Sequence, residues 1–292
     1  MGSGIGAAAL RTARAFLWTA LVLLALAALW EGYKALGDAT GGRIPGTGLD
    51  LPIAADDQAM PHIADIVGAL TEPARRGTDT SLAVYLFNEA TITFREALLG
   101  LAIGSAAGLL LAVGLRESRF ASRGVMPWLI ASQTVPLVAV APMVVIWGGK
   151  AGMPSWVAVT VLSAYLAFFP VTVSVLRGLN SPQPVHRELM HALAAGRVRT
   201  LLLLRFPAAL PFLFAGLRLA ATASVVGAIV GELSAGTGGG IGRAILTSSY
   251  YYSSAPENLY AAVLVAAVTG IVLVQVLRVG ESLSLRNRST AG

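Results

Sequence analysis

The chain is 292 residues long, with 55% of them apolar, only 12% charged and a net charge of +6. Charged residues normally make up about 25% of a soluble domain, so this composition excludes a disordered chain or a nucleic-acid-binding domain and points to an integral membrane protein. No cysteine is present, which excludes disulfides, thiolate metal sites and cysteine nucleophiles.

A helix crossing about 30 Å of hydrocarbon needs roughly 20 mostly apolar residues. Six stretches qualify in chain order: Phe16–Leu36, Ala90–Leu115, Val125–Trp147, Ser155–Leu176, Leu210–Val230 and Leu259–Leu277. The first has two readings. Arg11 and Arg14 before an apolar run resemble a signal peptide, whereas the bulky Trp18, and Trp30 with Tyr33, suit a retained span with an interfacial anchor.

Lysine and arginine are distributed unevenly between the loops. Thirteen fall in the N-terminal tail, the second–third loop, the long fourth–fifth loop and the C-terminal tail; six, including Arg75 and Arg76, fall on the other side. Arg95 and Arg218 lie within spans. By the positive-inside rule both termini are cytoplasmic. All six aspartates lie between Asp38 and Asp79, in the segment predicted to be external. The expected organisation is a tail and first span over 1–36, an extracytoplasmic segment over 37–89, a five-helix core over 90–280 and a tail over 281–292. Within 37–89, Ile63, Ile66, Val67 and Leu70 recur at helical spacing and predict a short amphipathic helix on the outer surface.

The sequence offers no catalytic chemistry. It contains no GxxxxGK[ST] loop, and the cluster Gly236, Gly238, Gly239, Gly240, Gly242 does not satisfy GxGxxG. No aspartate follows Asp79 to hold Mg²⁺, and His62, His186 and His191 are too scattered for a metal cluster. No catalytic residue, metal ligand or cofactor is therefore expected in this chain, and any ATP must be hydrolysed by another.

The longest basic loop, 177–205, carries the strongest signal. Pro184 suits the first position of a helix. Val185, Leu189 and Leu193 then recur every four residues on one face, with Glu188 and His191 on the rest, and the helix is expected to end near Gly196. One reading lays this helix on lipid headgroups. The other docks its apolar face into a groove on a cytoplasmic partner.

In the spans, Gly100, Gly104 and Gly108 form a GxxxGxxxG stripe that allows close helix approach, within the chain or between two copies. Pro136 and Pro142, with Ser132, Gln133 and Thr134, make the third span the candidate path-lining helix, a structural kink being the alternative. Glu232 closes the fifth span as a candidate gate or path residue, or as an interfacial acid. The Tyr250–Tyr252 run reads as an aromatic anchor or a substrate platform.

Glu188–Arg197 (ELMHALAAGR), Phe206–Pro211 (FPAALP) and Ala215–Arg218 (AGLR) resemble the EAA loop of ATP-binding-cassette importer permeases. Glu188 matches its acid and Pro207 its proline, while Ala194 stands where the pattern has glycine, with Gly196 two residues later. Ala131–Pro136, Ala141–Pro142 with Trp147, and Gly231-Glu-Leu resemble the nitrate/sulfonate/taurine branch. Tyr250–Leu259 is similar to members associated with riboflavin or pyrimidine precursors.

The resemblance implies an all-α, six-span type I permease subunit, with Val185, Glu188, Leu189, His191, Leu193, Ala194, Gly196 and Arg197 as the ATPase-coupling surface. It implies a dimer of cytoplasmic ATPases that holds ATP and Mg²⁺. A second permease chain, identical or paralogous, and an extracytoplasmic solute-binding protein complete the set, with membrane lipid around it and no nucleic acid. ATP would close the ATPases, carry the coupling helices inward and rock the bundles between inward-open and outward-open states. A secondary transporter or channel, relying on Glu96 and Glu232, is the alternative, followed by a membrane scaffold.

Overall fold

The protein is described by a computed structural model covering residues 3–286 except 45, 47, 48, 75, 76 and 237. Arg75, Arg76 and the end of the tail with Arg288 lie outside the described residues. The described chain is helical, with two isolated β-bridges and no strand. Its helices are α1 (Ser3–Thr40), α2 (Ile63–Ala69), α3 (Leu82–Glu117), α4 (Arg119–Ser132), α5 (Leu137–Lys150), α6 (Ser155–Leu179), α7 (Pro184–Ala192), α8 (Arg197–Thr200), α9 (Phe206–Ala235), α10 (Ile241–Tyr250) and α11 (Pro256–Arg286). They fall into two compact units: Met1–Leu82 with Ser248–Ala261, and Ala83–Thr247 with Ala262–Gly292.

Among the described residues, five helical stretches are long and apolar enough to cross a membrane: Leu17–Thr40, Leu82–Glu117, Ser155–Leu179, Arg197–Ala235 and Pro256–Ser282. The sixth expected span, Val125–Trp147, is not one rod. It breaks between Ser132 and Leu137 into α4 and α5, bent by 94°. Pro136 cannot donate the backbone bond that a continuous helix needs there and instead stands at the N-cap of α5, with extended backbone.

In the first unit, α1 is tied to the segment that follows it by four side chains near its end. Trp30 Nε1–H donates to the Pro61 carbonyl at 3.1 Å, and the Tyr33 hydroxyl donates to the Ile53 carbonyl at 3.0 Å. Glu31 accepts the Ile63 N–H at 2.8 Å and meets His62 Nδ1 at 2.8 Å, so the carboxylate caps α2 where the His62 side chain does not. Lys34, 1% exposed, donates to the Met60 carbonyl at 2.8 Å and to Asp57 at 2.5 Å. A hydrogen bond from the Lys34 ammonium holds the exposed Asp57 carboxyl below its ordinary range. The ring of Trp30 packs edge-on against Tyr260, whose hydroxyl reaches the Ala59 carbonyl. Trp30 and Tyr33 are thus satisfied by protein, in place of the headgroup contacts expected of an interfacial anchor. The predicted amphipathic helix exists, but α2 buries Ile66 and Ala69 inside the unit and exposes Val67.

The second unit is built around α6, which contributes twelve buried residues including Val159, Leu162, Ala167, Val171 and Val175. The stripe of Gly100, Gly104 and Gly108 lies directly on it: a Cβ at Gly104 would come within 2.5 Å of the Ala164 carbonyl and 2.9 Å of Ala167 Cβ. From the other side, Gly227 of α9 would put a Cβ 2.8 Å from Ser163 Cα. Ser163 also donates to the Ser224 carbonyl at 2.5 Å. The glycine stripe therefore packs within the chain, and α6 is clasped between two helices at backbone distance.

Helix α3 begins at Leu82, eight residues before the expected span, so the predicted 37–89 segment ends inside a helix. The fifth span likewise extends back to Arg197. Between α8 and α9 the backbone widens into a π turn at Leu201–Arg205, closed by the Phe206 N–H on the Leu201 carbonyl. Pro207 and Pro211 follow directly, and the extra residue in the turn accommodates rings that would collide with the preceding carbonyls of a regular helix.

Candidate functional site

The coupling residues expected from the sequence occupy one compact feature. Gln183 caps α7, Pro184 takes its first position, and Val185, Glu188, Leu189 and His191 lie on the helix. No residue of α7 is buried, and Val185, Leu189 and Leu193 are 61%, 57% and 66% exposed. Among the described residues nothing covers this apolar face. The bond ladder ends with the Ala194 N–H on the His191 carbonyl and the Ala195 N–H on the Met190 carbonyl, both near 3 Å.

The turn out of α7 is made by Ala194 at φ +50, the one non-glycine residue with positive φ among those described. Gly196, two residues on, has φ −63 and begins α8 as its N-cap, with Arg197 at the first helical position. The left-handed conformation is therefore kept where the loop pattern places glycine, even though alanine occupies it. A left-handed alanine costs roughly 1–2 kcal/mol, offset in a Gly variant by greater unfolded-state freedom. Ala194→Gly is accordingly expected to raise stability by about 0.5–1 kcal/mol, read as a small upward shift of the melting temperature in detergent.

The path candidates gather at the break between α4 and α5. Ser132 donates to the Leu129 carbonyl and Thr134 to the Ala131 carbonyl, both at 2.8 Å, and the Gln133 amide reaches Ser132 Oγ at 3.3 Å. The Tyr165 hydroxyl of α6 donates to the Ser132 carbonyl, freed by the end of α4. Ser132 and Gln133 are half-buried, while Thr134, Pro136 and Pro142 are exposed. The break presents hydroxyls and an amide with no fixed charge.

Glu232 is elsewhere. It is 2% exposed, and its Oε2 accepts the Gly242 N–H at 2.6 Å. It belongs to a cluster that receives the N-terminus of α10: Glu89 takes the Gly240 N–H and Thr93 Oγ1 takes the Ile241 N–H at 2.8 Å. Three consecutive backbone donors are thus met by two carboxylates and a hydroxyl. A Cβ at Gly240 (φ +112) would collide with the Glu232 carboxyl, so only glycine closes the loop here. Glu89, Thr93 and Glu96, at helical spacings of four and three, were legible as one face of α3, but only the 236–242 loop gives that face a purpose. Arg218, unassigned by sequence, pairs with Glu281 of α11.

The described chain thus has several candidate spans, with an exposed amphipathic helix between two of the long ones. The chain belongs to the family of binding-protein-dependent transport system inner membrane components, which matches residues 104–280, and it is a multi-pass protein of the cytoplasmic membrane. It is 37% identical over 150 residues to a probable ABC transporter permease protein of Haemophilus influenzae, covering 51% of this chain and 60% of that protein. It is 38% identical over 157 residues to the formylaminopyrimidine transport permease ThiX of Halalkalibacterium halodurans, covering 54% and 61%. The taurine transport permease TauC of Escherichia coli is 31% identical over 198 residues, covering 67% and 64%. The chain thus spans about three fifths of the length of these relatives. A solved amino acid ABC transporter structure superposes with a TM-score of 0.56 at 15% identity, over 68% of this chain and 94% of that one, which shows a shared fold.

Proposed function

We propose that this chain is the transmembrane subunit of an ATP-binding-cassette importer, coupled through α7 to a separate ATPase dimer that holds ATP and Mg²⁺. Both termini are cytoplasmic in this reading, as the excess of Lys and Arg on that side requires. A second permease chain completes the path, and an extracytoplasmic binding protein delivers the solute. The observation that carries the reading is α7 itself: a helix with no buried residue and an uncovered apolar face, fixed between the end of α6 and the start of α8. Residues 132–136 and 142 contribute the path, with Glu232 holding the neighbouring glycine loop in place.

For the solute, a neutral nitrogen heterocycle of the pyrimidine or flavin class fits best. Relatives named for formylaminopyrimidine and riboflavin transport are 38% and 36% identical over their matched regions, against 31% and 27% for those named for taurine and aliphatic sulfonates. Ser132, Gln133 and Thr134 supply neutral donors and acceptors. A sulfonate calls for a free cation, but Arg218 is engaged by Glu281 and Arg95 lies over the Trp156 ring.

The test is co-expression with an ATP-binding-cassette ATPase subunit from the same genome, followed by detergent extraction. The expected result is a complex with the mass of two permeases and two ATPases and vanadate-sensitive ATP turnover, lost in Glu188→Lys while the chain still inserts. A lone chain with no bound ATPase would overturn the reading in favour of a secondary transporter.

A further inference from the structure

We propose that the Gly240 N–H is a shared donor, exchanged between Glu89 of α3 and Glu232 of α9, which makes the 236–242 loop a sliding joint between these two helices. The exchange stands on the geometry of the loop; its use in transport rests on the importer reading above.

The loop carries the chain from the end of α9 into α10, and side chains of two different helices meet its donors. The Gly240 N–H donates to Glu89 Oε2 and the Ile241 N–H to Thr93 Oγ1, both on α3, while the Gly242 N–H donates to Glu232 Oε2 on α9. The second oxygen of Glu232 is not used. This residue is 2% exposed, and its Oε1 meets no donor among the described residues. A buried carboxylate oxygen without a donor costs free energy, so a rearrangement that brings one is favoured.

Gly240 is placed to supply it. A Cβ there would collide with both Glu232 oxygens, so the Gly240 backbone lies directly against the one without a donor, although its N–H is turned to Glu89. Rotation about the flanking backbone torsions redirects that N–H with little movement of Cα. At φ +112 a glycine makes this turn without steric cost. Neighbouring donors are committed elsewhere: Arg243 to the Gly236 carbonyl at 2.6 Å, Arg95 over the Trp156 ring, and the Thr93 hydroxyl to the Glu89 carbonyl at 3.3 Å.

The two acceptors differ in exposure. Glu89 is half-buried, so its carboxylate is hydrated once released, whereas Glu232 has no access to water. Either way the Gly240 N–H keeps a charge-assisted bond, and the N-terminus of α10 stays capped. With the donor on Glu89, the loop ties α3 to α9 through two bonds. With the donor on Glu232, Thr93 alone holds α3. The helix ends can then shift against each other without uncapping α10, the freedom that a rocking bundle needs at a seam.

The experiment is hydrogen–deuterium exchange of the full chain in lipid nanodiscs, resolved to single amides by electron-transfer fragmentation, with Gly242 as the reference amide. In Glu89→Ala the Gly240 N–H passes to Glu232 Oε1, and its protection is expected to stay within about threefold of wild type. In Glu232→Gln the side-chain carbonyl keeps the Gly242 bond and the amide nitrogen replaces Oε1, so the donor remains on Glu89 and protection is again retained. Only the double variant leaves the Gly240 N–H without an acceptor, and its protection should fall by about 30-fold or more. Collapse of the double variant, with both single variants folded, would be the same non-additive result in stronger form. Loss of Gly240 protection in Glu89→Ala alone would overturn the proposal, by making the two carboxylates independent caps. Failure of Glu89→Ala to fold, or protection retained in the double variant, would overturn it as well. None of these readings involves an ATPase, so a chain that binds none would sink the importer reading and leave the exchange standing.

Discussion

Gly104→Leu is expected to leave almost no folded protein after detergent extraction, whereas Gly114→Leu on the same helix should extract like wild type. A Cβ at Gly104 meets the Ala164 carbonyl and Ala167 Cβ, both parts of α6, and a leucine adds three further carbons in the same direction. The ordinary response to overpacking is for the neighbouring helix to yield, at a cost of about 1–3 kcal/mol. Here α6 cannot yield, because Gly227 of α9 holds Ser163 from the opposite side at backbone contact. The helices must separate along their whole seam, and the cost rises to roughly 4 kcal/mol or more, a large share of the 5–15 kcal/mol typical of a folded domain. Gly114 has nothing within 4 Å of its would-be Cβ. Replacing it with leucine removes a poor helix former and gains up to about 1 kcal/mol. Fluorescence-detected size exclusion of the two variants measures the difference, and equal yields would mean that α3 and α6 do not pack through this stripe.

Leu189→Asp should abolish recovery of the ATPase with the chain while leaving insertion and melting temperature unchanged. Leu189 is exposed in the isolated chain, so its replacement removes no internal packing. If α7 docks into a groove, the same change loses about 1.5–3 kcal/mol of apolar burial and places a charge where water is excluded. A central anchor lost in this way weakens an interface by at least about 2 kcal/mol, close to a 30-fold fall in affinity. His191→Ala, on the polar flank of the helix, should cost much less. Pull-down at graded ATPase concentrations separates these outcomes; unchanged association in Leu189→Asp would return α7 to the lipid surface.

The spans were legible because hydrocarbon imposes length and apolarity on a sequence directly. Their ends were not. The early turns of α3 carry Asn88, Glu89, Thr91, Thr93, Arg95 and Glu96, which read as an interface because the partners of Glu89 and Thr93 lie some 150 residues away in the 236–242 loop. Hydropathy likewise passes through Ser132–Pro136 without a signal: a kinked span and a 94° break have the same composition, and only tertiary contacts such as Tyr165 on the Ser132 carbonyl distinguish them. The 177–205 loop was the most transparent region, since its helix is local and starts at a proline. The helix was expected to end near Gly196 but ends at Ala192, because Ala194 takes the positive φ and Gly196 already begins α8. Glu232 was noticed as an intramembrane acid, yet its role depends on Gly240 and Gly242, whose close approach no sequence pattern announces.

The continuous helical run from Arg197 to Ala235 has a mechanical consequence. Thirty-nine residues at 1.5 Å each make a rod of about 58 Å, against a hydrocarbon core of about 30 Å. With Leu210–Val230 filling that core, residues 197–209 reach roughly 20 Å beyond it and end beside α7. In the proposed importer such a rod acts as a lever. Pivoting about the bilayer midplane by about 10°, it would swing its far end through roughly 6 Å, slightly more than one helical turn. The π turn at Leu201–Arg205 lies on the long arm, where a change in backbone winding would redirect the stroke without disturbing the fulcrum in the membrane.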